Sequence, residues 1–409
     1  MRLKVNHIDL KEITAPASKS YAQRAILAAC LCTEESELYN IGKSDDVGHI
    51  LNVALQLGAQ LKKDGDRVNI KGNLTPTARS LNVGESGLGL RLTVPIAAAL
   101  GGDYEIVGKG SLVSRPVKQF ESFLPQLGVA VTTNNGLLPV EINGQLKGGE
   151  ITVDGSLSSQ FISGLMMALP LCAQDSKITI KNPVSIPYLL MTSQVLSSFG
   201  IAHSYDHDIF TVQGKQKYEA SNYYVEGDWS GAAFWAVYGA IKGEIILNGL
   251  NIHSHQADVK ILEAIEKAGG NYTVDRSNII IRANKLIPFE FDATDCPDLF
   301  PPLVVLASAC AGMSKIHGVR RLKHKESDRG VVLKNEFNKL GLLIEIKEDT
   351  MLIHGTGKLN SGYIHSNNDH RIAMAGAIAS VLTEDGIEIE NAEAVNKSYP
   401  AFWDHIEHE

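Results

Sequence analysis

The sequence has 409 residues, enough for two or three domains of ordinary size or for one architecture built by repetition. Its 38 Lys and Arg against 46 Asp and Glu give a net charge of −8, so no general basic field exists to collect nucleic acid or acidic lipid. Hydrophobic residues make up 44% and charged residues 21% of the chain, which is typical of a folded globular protein and excludes a disordered or fibrous one.

Apolar segments and cysteines indicate the compartment. No apolar run reaches the roughly 18 residues of a membrane-spanning helix, since the longest contain Pro or Gly or stop early. The amino terminus, MRLKVNHIDLKE, lacks the apolar centre of a signal peptide. We therefore expect a cytoplasmic protein. We also expect its cysteines to be reduced and buried, namely Cys30, Cys32, Cys172, Cys296 and Cys310.

The first clear element in the chain is an amphipathic helix over residues 46–57. Its apolar side chains recur at helical spacing, and Gly58 is placed to end it. The following segment, AQLKKDGDRVNIKG, predicts two strands joined by an Asp-Gly turn.

This pattern of helix, strand, turn and strand recurs within residues 123–144, 195–214 and 336–355. The helix ends fall at spacings of 70, 72, 69 and 72 residues. The glycines at these ends are Gly58, Gly128, Gly200, Gly269 and Gly341. Such regularity predicts a structural repeat of about 70 residues.

A second series with the same period consists of short polar clusters, each followed by an apolar, Ala-rich segment. The clusters are spaced by 68, 72, 72, 68 and 71 residues. They are centred on Ser18, Ser86, Ser158, Ser230, Asp298 and Asp369. A helix that is apolar on all sides is buried, and Ser, Asp and Asn satisfy the free N–H groups at a helix start. Each cluster is therefore predicted to begin a buried helix.

Six helix starts that faced a common space would form a site for anions, because each carries a partial positive charge. Lys19, Arg24, Arg91 and Arg371 lie within about a turn of these starts and add full charges. The alternative is that Ser and Asp merely cap their helices while the cations pair with surface carboxylates. The shared repeat position of the six clusters favours the anion site.

The most charged stretch, GVRRLKHKESDRG at residues 318–330, has a simple local interpretation. It could be a solvated first helical turn, with pairs such as Lys325 with Asp328. Only its position in the repeat indicates that it contributes to the anion site.

Several familiar sites are excluded. GKS at residues 42–44 lacks the upstream Gly of a P-loop, and GESGLGLR has its glycines in the wrong order for a dinucleotide fingerprint. His253 and His255 could form part of a metal site, but they lack a third ligand at the usual spacing.

Motifs along the whole chain resemble, in order, those of the EPSP synthase family of enolpyruvyl transferases. The paired motifs K-E-S-D-R and N-D-H-R are specific to this resemblance. The matching segments are Pro16-Ala17-Ser18-Lys19-Ser20 with Arg24, residues 84–91, Ser114-Arg115-Pro116, Ser158-Ser159-Gln160, Ser185 with Pro187-Tyr188, Cys296-Pro297-Asp298, residues 325–329, residues 368–371, and Lys397-Ser398-Tyr399-Pro400.

The resemblance implies a mixed α/β (α+β type) fold. It would be a two-domain inside-out α/β barrel of six βαβαββ repeats, three per domain, with the active site in the interdomain cleft. We place the first domain at residues 14–225 and the second at residues 1–13 and 226–409. We expect a monomer that uses no metal or cofactor and binds neither nucleic acid nor membrane.

The family transfers the carboxyvinyl group of phosphoenolpyruvate to the 5-hydroxyl of shikimate 3-phosphate, in the shikimate pathway of aromatic amino-acid biosynthesis. The two substrates carry phosphates and carboxylates, so their binding needs several cations and helix starts together. By resemblance, the residues that bind phosphoenolpyruvate are Lys19, Gly87, Arg115, Gln160, Arg329, Arg371 and Lys397. Those that bind shikimate 3-phosphate are Lys19, Ser20, Arg24, Ser158, Ser159, Gln160, Ser185, Asp298 and Lys325.

The resemblance also assigns the catalytic groups. Asp298 would be the base that takes the hydroxyl proton, and Glu326 the acid that protonates the methylene carbon, with Lys19 assisting. A carboxylic acid protonated near neutral pH needs burial, which closure of two domains could supply. The local alternatives are a helix-capping role for Asp298 and a surface ion pair for Glu326.

The sequence departs from the family pattern at residues 85, 88 and 89. The family usually has Asn where Glu85 stands, and a Thr with a small residue where Leu88 and Gly89 stand. A carboxylate at position 85 should weaken anion binding unless a cation such as Arg91 neutralises it.

Two other functions fit the sequence less well. A UDP-N-acetylglucosamine enolpyruvyl transferase uses a loop cysteine in its second repeat, but residues 101–126 contain no Cys. A pseudo-sixfold DNA clamp would need basic residues on helix faces that line a hole, whereas these helices are apolar.

Overall fold

The computed structural model describes residues 1–156, 158–275 and 278–406. The predicted second domain also includes residues 276, 277 and 407–409, which lie outside this part. The helices are α1 (Lys19–Cys30), α2 (Asp45–Gln56), α3 (Gly87–Leu100), α4 (Gln119–Phe123), α5 (Ser159–Ala168), α6 (Ile186–Ser198), α7 (Trp229–Lys242), α8 (Ile261–Lys267), α9 (Phe300–Ala309), α10 (Arg329–Lys339) and α11 (His370–Ala379).

The strands are interspersed with the helices along the chain. They are β1 (Arg2–Val5), β2 (Glu12–Thr14), β3 (Ser36–Tyr39), β4 (Gln60–Asp64), β5 (Arg67–Lys71), β6 (Ser80–Asn82), β7 (Gly102–Val107), β8 (Val129–Asn134), β9 (Leu137–Gly144), β10 (Gly149–Asp154), β11 (Ser176–Lys181), β12 (His203–Asp206), β13 (Ile209–Val212), β14 (Asn222–Tyr224), β15 (Glu244–Asn248), β16 (Asn271–Asp275), β17 (Asn278–Arg282), β18 (Glu290–Asp292), β19 (Ala311–His317), β20 (Leu343–Lys347), β21 (Thr350–Thr356), β22 (Gly362–His365) and β23 (Ile387–Glu390). The predicted mixed α/β class is confirmed.

The chain folds as two compact units. One is Ala17–Val225, and the other combines Met1–Pro16 with Glu226–Glu409. The sheets of the first unit have the strand orders β14-β3-β5-β4, β6-β7-β9-β8 and β10-β11-β13-β12. Those of the second have the orders β16-β17-β15-β2, β18-β19-β21-β20 and β1-β23-β22.

All of these sheets follow one pairing rule. One edge strand runs parallel to its neighbour, and the other pairings are antiparallel. In the β10 sheet, for example, Ile151 pairs with Ile178 in parallel, and Ile178 pairs with Phe210 in antiparallel register. A parallel pair needs a crossover connection, and here α5 supplies it.

The Ala-rich helices are buried along most of their length, as the sequence predicts. In α3 every residue from 87 to 99 is buried. Gly164 of α5 packs so closely on α3 that a Cβ there would lie 2.1 Å from the Arg91 carbonyl oxygen. Only glycine permits this backbone approach.

Most of the polar clusters begin these helices by capping them. The side chains of Ser86, Ser158, Asp228 and Asp369 each accept a backbone N–H from the first turn of α3, α5, α7 and α11. The cluster at Asp298 differs, because a 3-10 turn, Pro297–Leu299, precedes α9. The capping interpretation of Asp298 is therefore wrong, and its carboxylate has other partners, described below.

The amphipathic helices that precede the spaced glycines end as the glycine spacing predicts. Helix α2 covers residues 45–56, which is the predicted segment 46–57 shifted by one residue toward the amino terminus. The five spaced glycines have φ between +77° and +94°, the left-handed conformation that ends a helix. The predicted hairpin after Gly58 is present as β4 and β5. The helix and hairpin predictions are confirmed here.

The five cysteines are free and buried, as expected. Burial raises the pKa of the Cys30 and Cys172 thiols to about 12, which keeps them protonated. Among the described residues, no helix is long and apolar enough to cross a membrane.

Candidate functional site

In the Ala17–Val225 unit, the amino-terminal halves of three buried helices contact one another. The Ser86 hydroxyl, which caps α3, donates to Gln23 Oε1 of α1 at 2.7 Å. The Arg91 guanidinium of α3 lies over the Phe161 ring of α5, 4.9 Å from its centroid. The partial positive charges of these helix starts are thus concentrated in one region.

Lys19 is the first residue of α1 and forms an ion pair with Asp46 of α2. Its Nζ lies 2.9 Å from Asp46 Oδ2, and the two side chains are only 13% and 6% exposed. The other oxygen, Asp46 Oδ1, is buried and has no hydrogen-bond partner among the described residues. An anion that binds Lys19 would therefore share the ammonium group with this carboxylate.

Gly87 and Arg115 are in direct contact at the start of α3. A Cβ on Gly87 would lie 2.5 Å from one guanidinium nitrogen of Arg115. Arg115 is only 9% exposed, and its Nε is buried without a hydrogen-bond partner in the part of the chain that the structure describes. The absence of a side chain at Gly87 lets this cation lie against the helix start.

Arg24 is a buried cation held by neutral oxygens. Its Nε donates to Thr192 Oγ1 at 2.8 Å, and its other nitrogens donate to the Ser20 and Tyr188 carbonyls and to Ser163 Oγ. Burial lowers the pKa of the guanidinium to about 10. Because these partners are uncharged, the positive charge can attract an anionic ligand.

Two predicted shikimate-phosphate positions lie at the starts of α5 and α6. Ser158 caps α5, and Ser159 beside it is buried. Ser185 is the N-cap of α6 and has φ +56°, in the left-handed region. This conformation costs a non-glycine residue on the order of 1 kcal/mol, and such strained residues cluster at binding sites.

In the other unit, Arg329 is the centre of a buried ionic cluster. Its side chain is fully buried and donates to three carboxylates. Two bonds go to Asp369 at 2.8 and 3.1 Å, one to Asp298 at 2.7 Å and one to Glu326 at 2.6 Å. Burial opposes the charge of the guanidinium, but the three carboxylates raise its pKa.

Asp298 is surrounded by cations. Its Oδ1 contacts Lys325 at 3.2 Å as well as Arg329, and its Oδ2 contacts Arg371 at 3.2 Å. Burial alone would raise the pKa of this carboxyl, but the charges of Arg371, Lys325 and Arg329 hold it well below the usual range. Asp298 is therefore ionised near neutral pH.

The same cluster affects the other cations. Burial lowers the pKa of Lys325, although the nearby Asp298 opposes this change. Arg371 is 4% exposed, and burial opposes its charge, but the carboxylates of Asp298, Glu326 and Asp258 together raise its pKa. Lys397 is buried at the end of the 3-10 turn Ala392–Lys397.

The local interpretation of residues 318–330 is wrong in its solvated character and in the Lys325–Asp328 pair, although one i,i+3 pair, Glu326 with Arg329, is present. Lys325 pairs with the distant Asp298, while Asp328 caps α10 by accepting the Val331 N–H at 3.5 Å. The Glu326 ion pair is not a surface pair, because Glu326 is 10% exposed and Arg329 is not exposed at all. Pairs with such little exposure are weakly screened by solvent and salt.

Three acidic residues complete these clusters, and the sequence did not single them out for the site. Asp46 pairs with Lys19, and Asp369 accepts two bonds from Arg329. Asp258 is 1% exposed and interacts electrostatically with Asp298. A possible signal for the first two was their position in predicted helix-start segments.

The arrangement suits small, multiply charged anions. Each unit holds several buried cations, some of them at helix starts, and electrostatic interactions are strong where water is excluded. No group of three or more His, Cys, Asp or Glu side chains in the described ranges could hold a metal ion, and this includes His253 and His255.

Comparison with known proteins gives one consistent family. The family model described as EPSP synthase (3-phosphoshikimate 1-carboxyvinyltransferase) matches residues 9–406. A 3-phosphoshikimate 1-carboxyvinyltransferase of Clostridium kluyveri is 36% identical over 397 residues, covering 96% of this chain and 93% of the relative. The protein of the same name from Clostridium acetobutylicum is 38% identical over 410 residues, covering 98% and 95%.

Solved structures agree with the sequence comparisons. An EPSP synthase structure from Acinetobacter baumannii has a TM-score of 0.84 to this chain and is 25% identical. The match covers 100% of this chain and 99% of that one. The predicted family resemblance is confirmed by these findings.

Proposed function

The chain belongs to the EPSP synthase family, and we propose that it catalyses the reaction after which the family is named. It transfers the carboxyvinyl group of phosphoenolpyruvate to the 5-hydroxyl of shikimate 3-phosphate and releases phosphate. This makes it a transferase of the shikimate pathway, which supplies aromatic amino acids.

The observation that carries the proposal is the buried cluster in which Lys325, Arg329 and Arg371 surround Asp298. Three cations in one place match substrates that carry both phosphate and carboxylate groups. The carboxylate between them is ionised and can accept a proton, and anions that bind the three cations would weaken their hold on it and raise its pKa.

We assign phosphoenolpyruvate to cations of both units. Its phosphate and carboxylate pair with guanidinium and ammonium groups, and the backbone at Gly87 approaches it closely. The binding residues in this proposal are Lys19, Gly87, Arg115, Gln160, Arg329, Arg371 and Lys397.

Shikimate 3-phosphate takes the polar groups at the starts of α1, α5 and α6. The serine hydroxyls and helix N–H groups bind its phosphate, and Arg24 supplies a buried positive charge. The binding residues in this proposal are Lys19, Ser20, Arg24, Ser158, Ser159, Gln160, Ser185, Asp298 and Lys325.

The chemistry needs one proton acceptor and one proton donor. Asp298 takes the proton of the 5-hydroxyl while the hydroxyl oxygen bonds to the central carbon of phosphoenolpyruvate. Glu326 gives a proton to the methylene carbon. The ionised Glu326 then takes a proton back from the methyl group and Asp298 gives its proton to the departing phosphate, so the double bond forms as the bond from carbon to the phosphate oxygen breaks. The Glu326 carboxylate now accepts a bond from Arg329, and an anion that binds Arg329 would compete for that guanidinium and favour protonation of Glu326.

The finer architecture is also a proposal. The common pairing rule of the sheets and the period of about 70 residues support six βαβαββ units arranged as a two-domain inside-out barrel. The predicted domain boundaries, the active site in the interdomain cleft, the monomeric state and the cytoplasmic location stay predictions.

The decisive experiment measures phosphate release by the purified protein. Release from phosphoenolpyruvate should require shikimate 3-phosphate, and mass spectrometry should detect the enolpyruvyl product. Replacing the acceptor with UDP-N-acetylglucosamine should give no release. Release that is independent of shikimate 3-phosphate, or that needs the UDP-sugar instead, contradicts the proposal.

A further inference from the structure

Asp258 is a buried carboxyl next to the cluster around Asp298. It lies in the 3-10 turn Ala257–Lys260 that leads into α8. The Ser230 hydroxyl, in the first turn of α7, donates a hydrogen bond to its Oδ2. Its Oδ1 is buried and has no hydrogen-bond partner among the described residues. Such an oxygen is unfavourable unless it carries a proton or interacts with a nearby cation.

The neighbours of Asp258 place its two protonation states close in free energy. Burial and the charge of Asp298 disfavour the carboxylate, whereas Arg371 and the Ser230 hydroxyl favour it. Together these effects raise the pKa of Asp258 to about 7. The titratable and charged groups around it are Asp228 from α7, Cys296 and Asp298 from the segment before α9, Arg371 from α11, and Lys260 beside Cys296.

We propose that Asp258 is a positioning residue that acts through Arg371. Arg371 forms its ion pair with Asp298 and also attracts the buried carboxylate of Asp258, which takes up a proton from solvent when an anion binds Arg371. The proposal rests on the proposed function only in treating Arg371 as an anion-binding group.

The physical reason is the repulsion between like charges in a buried region. An anion that pairs with Arg371 adds negative charge close to Asp258 and weakens the interaction that kept the carboxylate ionised. Oδ1 is the atom available for the proton, since Oδ2 already accepts the Ser230 hydroxyl. Protonation removes the repulsion between Asp258 and the bound anion.

The expected consequence is anion binding that depends on pH. If one proton is taken up for each anion bound, affinity falls by up to about tenfold for each pH unit above the pKa of Asp258. Below that pKa the carboxyl is already protonated, and affinity is nearly constant.

The test uses inorganic sulfate, whose charge is constant over this range, and the full-length protein. Calorimetric titration in two buffers of different ionisation enthalpy, between about pH 6 and pH 8, measures the protons taken up for each sulfate bound. The wild type should take up a fraction of a proton near neutral pH. Asp258→Asn should take up much less, and its affinity should change less with pH.

Ser230→Ala supplies a second variant with a directional result. Removing a donor that favours the carboxylate should raise the pKa of Asp258 and move the region of steep pH dependence upward. A structural role for Asp258 alone would not produce this shift. The proposal is overturned if the wild type and Asp258→Asn show equal proton uptake, or if sulfate binds the wild type without uptake or does not bind at all.

Stability measured without sulfate checks the titration itself. The folded-state pKa of Asp258 is raised above its unfolded value, so its contribution to wild-type stability is present below about pH 4 and is lost as the pH rises through about 7. Asp258→Asn should lack this pH dependence. Turnover of the two proposed substrates is a separate measurement, so failure of either proposal can be recognised independently.

Discussion

Replacing Arg329 with Lys tests whether the shape of the guanidinium, as well as its charge, stabilises the buried cluster. Arg329 makes four charge-assisted hydrogen bonds to three carboxylates through three different nitrogens. A lysine has one nitrogen on a flexible stem, so it can keep contact with one or two of these carboxylates. Losing two such bonds at about 1.5 kcal/mol each lowers the free energy of unfolding by about 3 kcal/mol.

Arg329→Met should cost more, because it also removes the charge that the three carboxylates share. Breaking a buried ion pair by removing one partner costs about 3–5 kcal/mol. Urea unfolding followed by circular dichroism, with no anion added, gives the free energies of the wild type and both variants.

An exposed arginine in the same unit supplies the matched control. Arg282 Nε lies 2.7 Å from Glu244 Oε2, but these side chains are 45% and 52% exposed. Arg282→Lys should therefore cost less than about 1 kcal/mol. If Arg282→Lys and Arg329→Lys cost the same, burial and the planar fork are not what make Arg329 important.

Three further predictions concern activity. Glu326→Gln should fold normally and lose nearly all turnover, because the amide cannot give a proton to the methylene carbon; wild-type turnover would remove its proposed role. Gly87→Ala should displace the Arg115 guanidinium and raise the KM for phosphoenolpyruvate about tenfold, a loss of about 1.4 kcal/mol in binding. The control is Gly48→Ala, which should leave the KM unchanged because a Cβ there would meet no atom within 4 Å. Glu85→Asn should lower the KM for phosphoenolpyruvate because it removes the predicted repulsion; an unchanged KM would show that the carboxylate is already neutralised, and a higher KM would contradict the repulsion.

The helix boundaries were readable from the sequence because they depend on local chemistry. A glycine reaches the left-handed conformation without strain, so Gly58 and Gly128 marked the ends of their segments. Ser86 and Asp369 cap helices by accepting backbone N–H groups two or three residues away, so the capping partners lie close in the sequence. The apolar segments after these caps identified buried helices for the same reason.

The partners of the charged residues were not readable in this way. Lys325 had a plausible partner three residues away in Asp328, yet it pairs with Asp298, which is far along the chain. Arg329 has one partner three residues away, Glu326, but its other two, Asp298 and Asp369, come from distant segments. Ion pairs over such separations depend on how the helices pack, which spacing along the chain does not encode.

The sequence by itself determined the family, the period of the repeat and most helix starts, because motifs, glycines and capping residues act over a few positions. Only the tertiary structure decided that Asp298 is surrounded by three cations, that Glu326 is nearly buried and that Asp258 lies beside them. Burial and long-range proximity set the protonation of these carboxyls. Both arise when distant segments pack and exclude water.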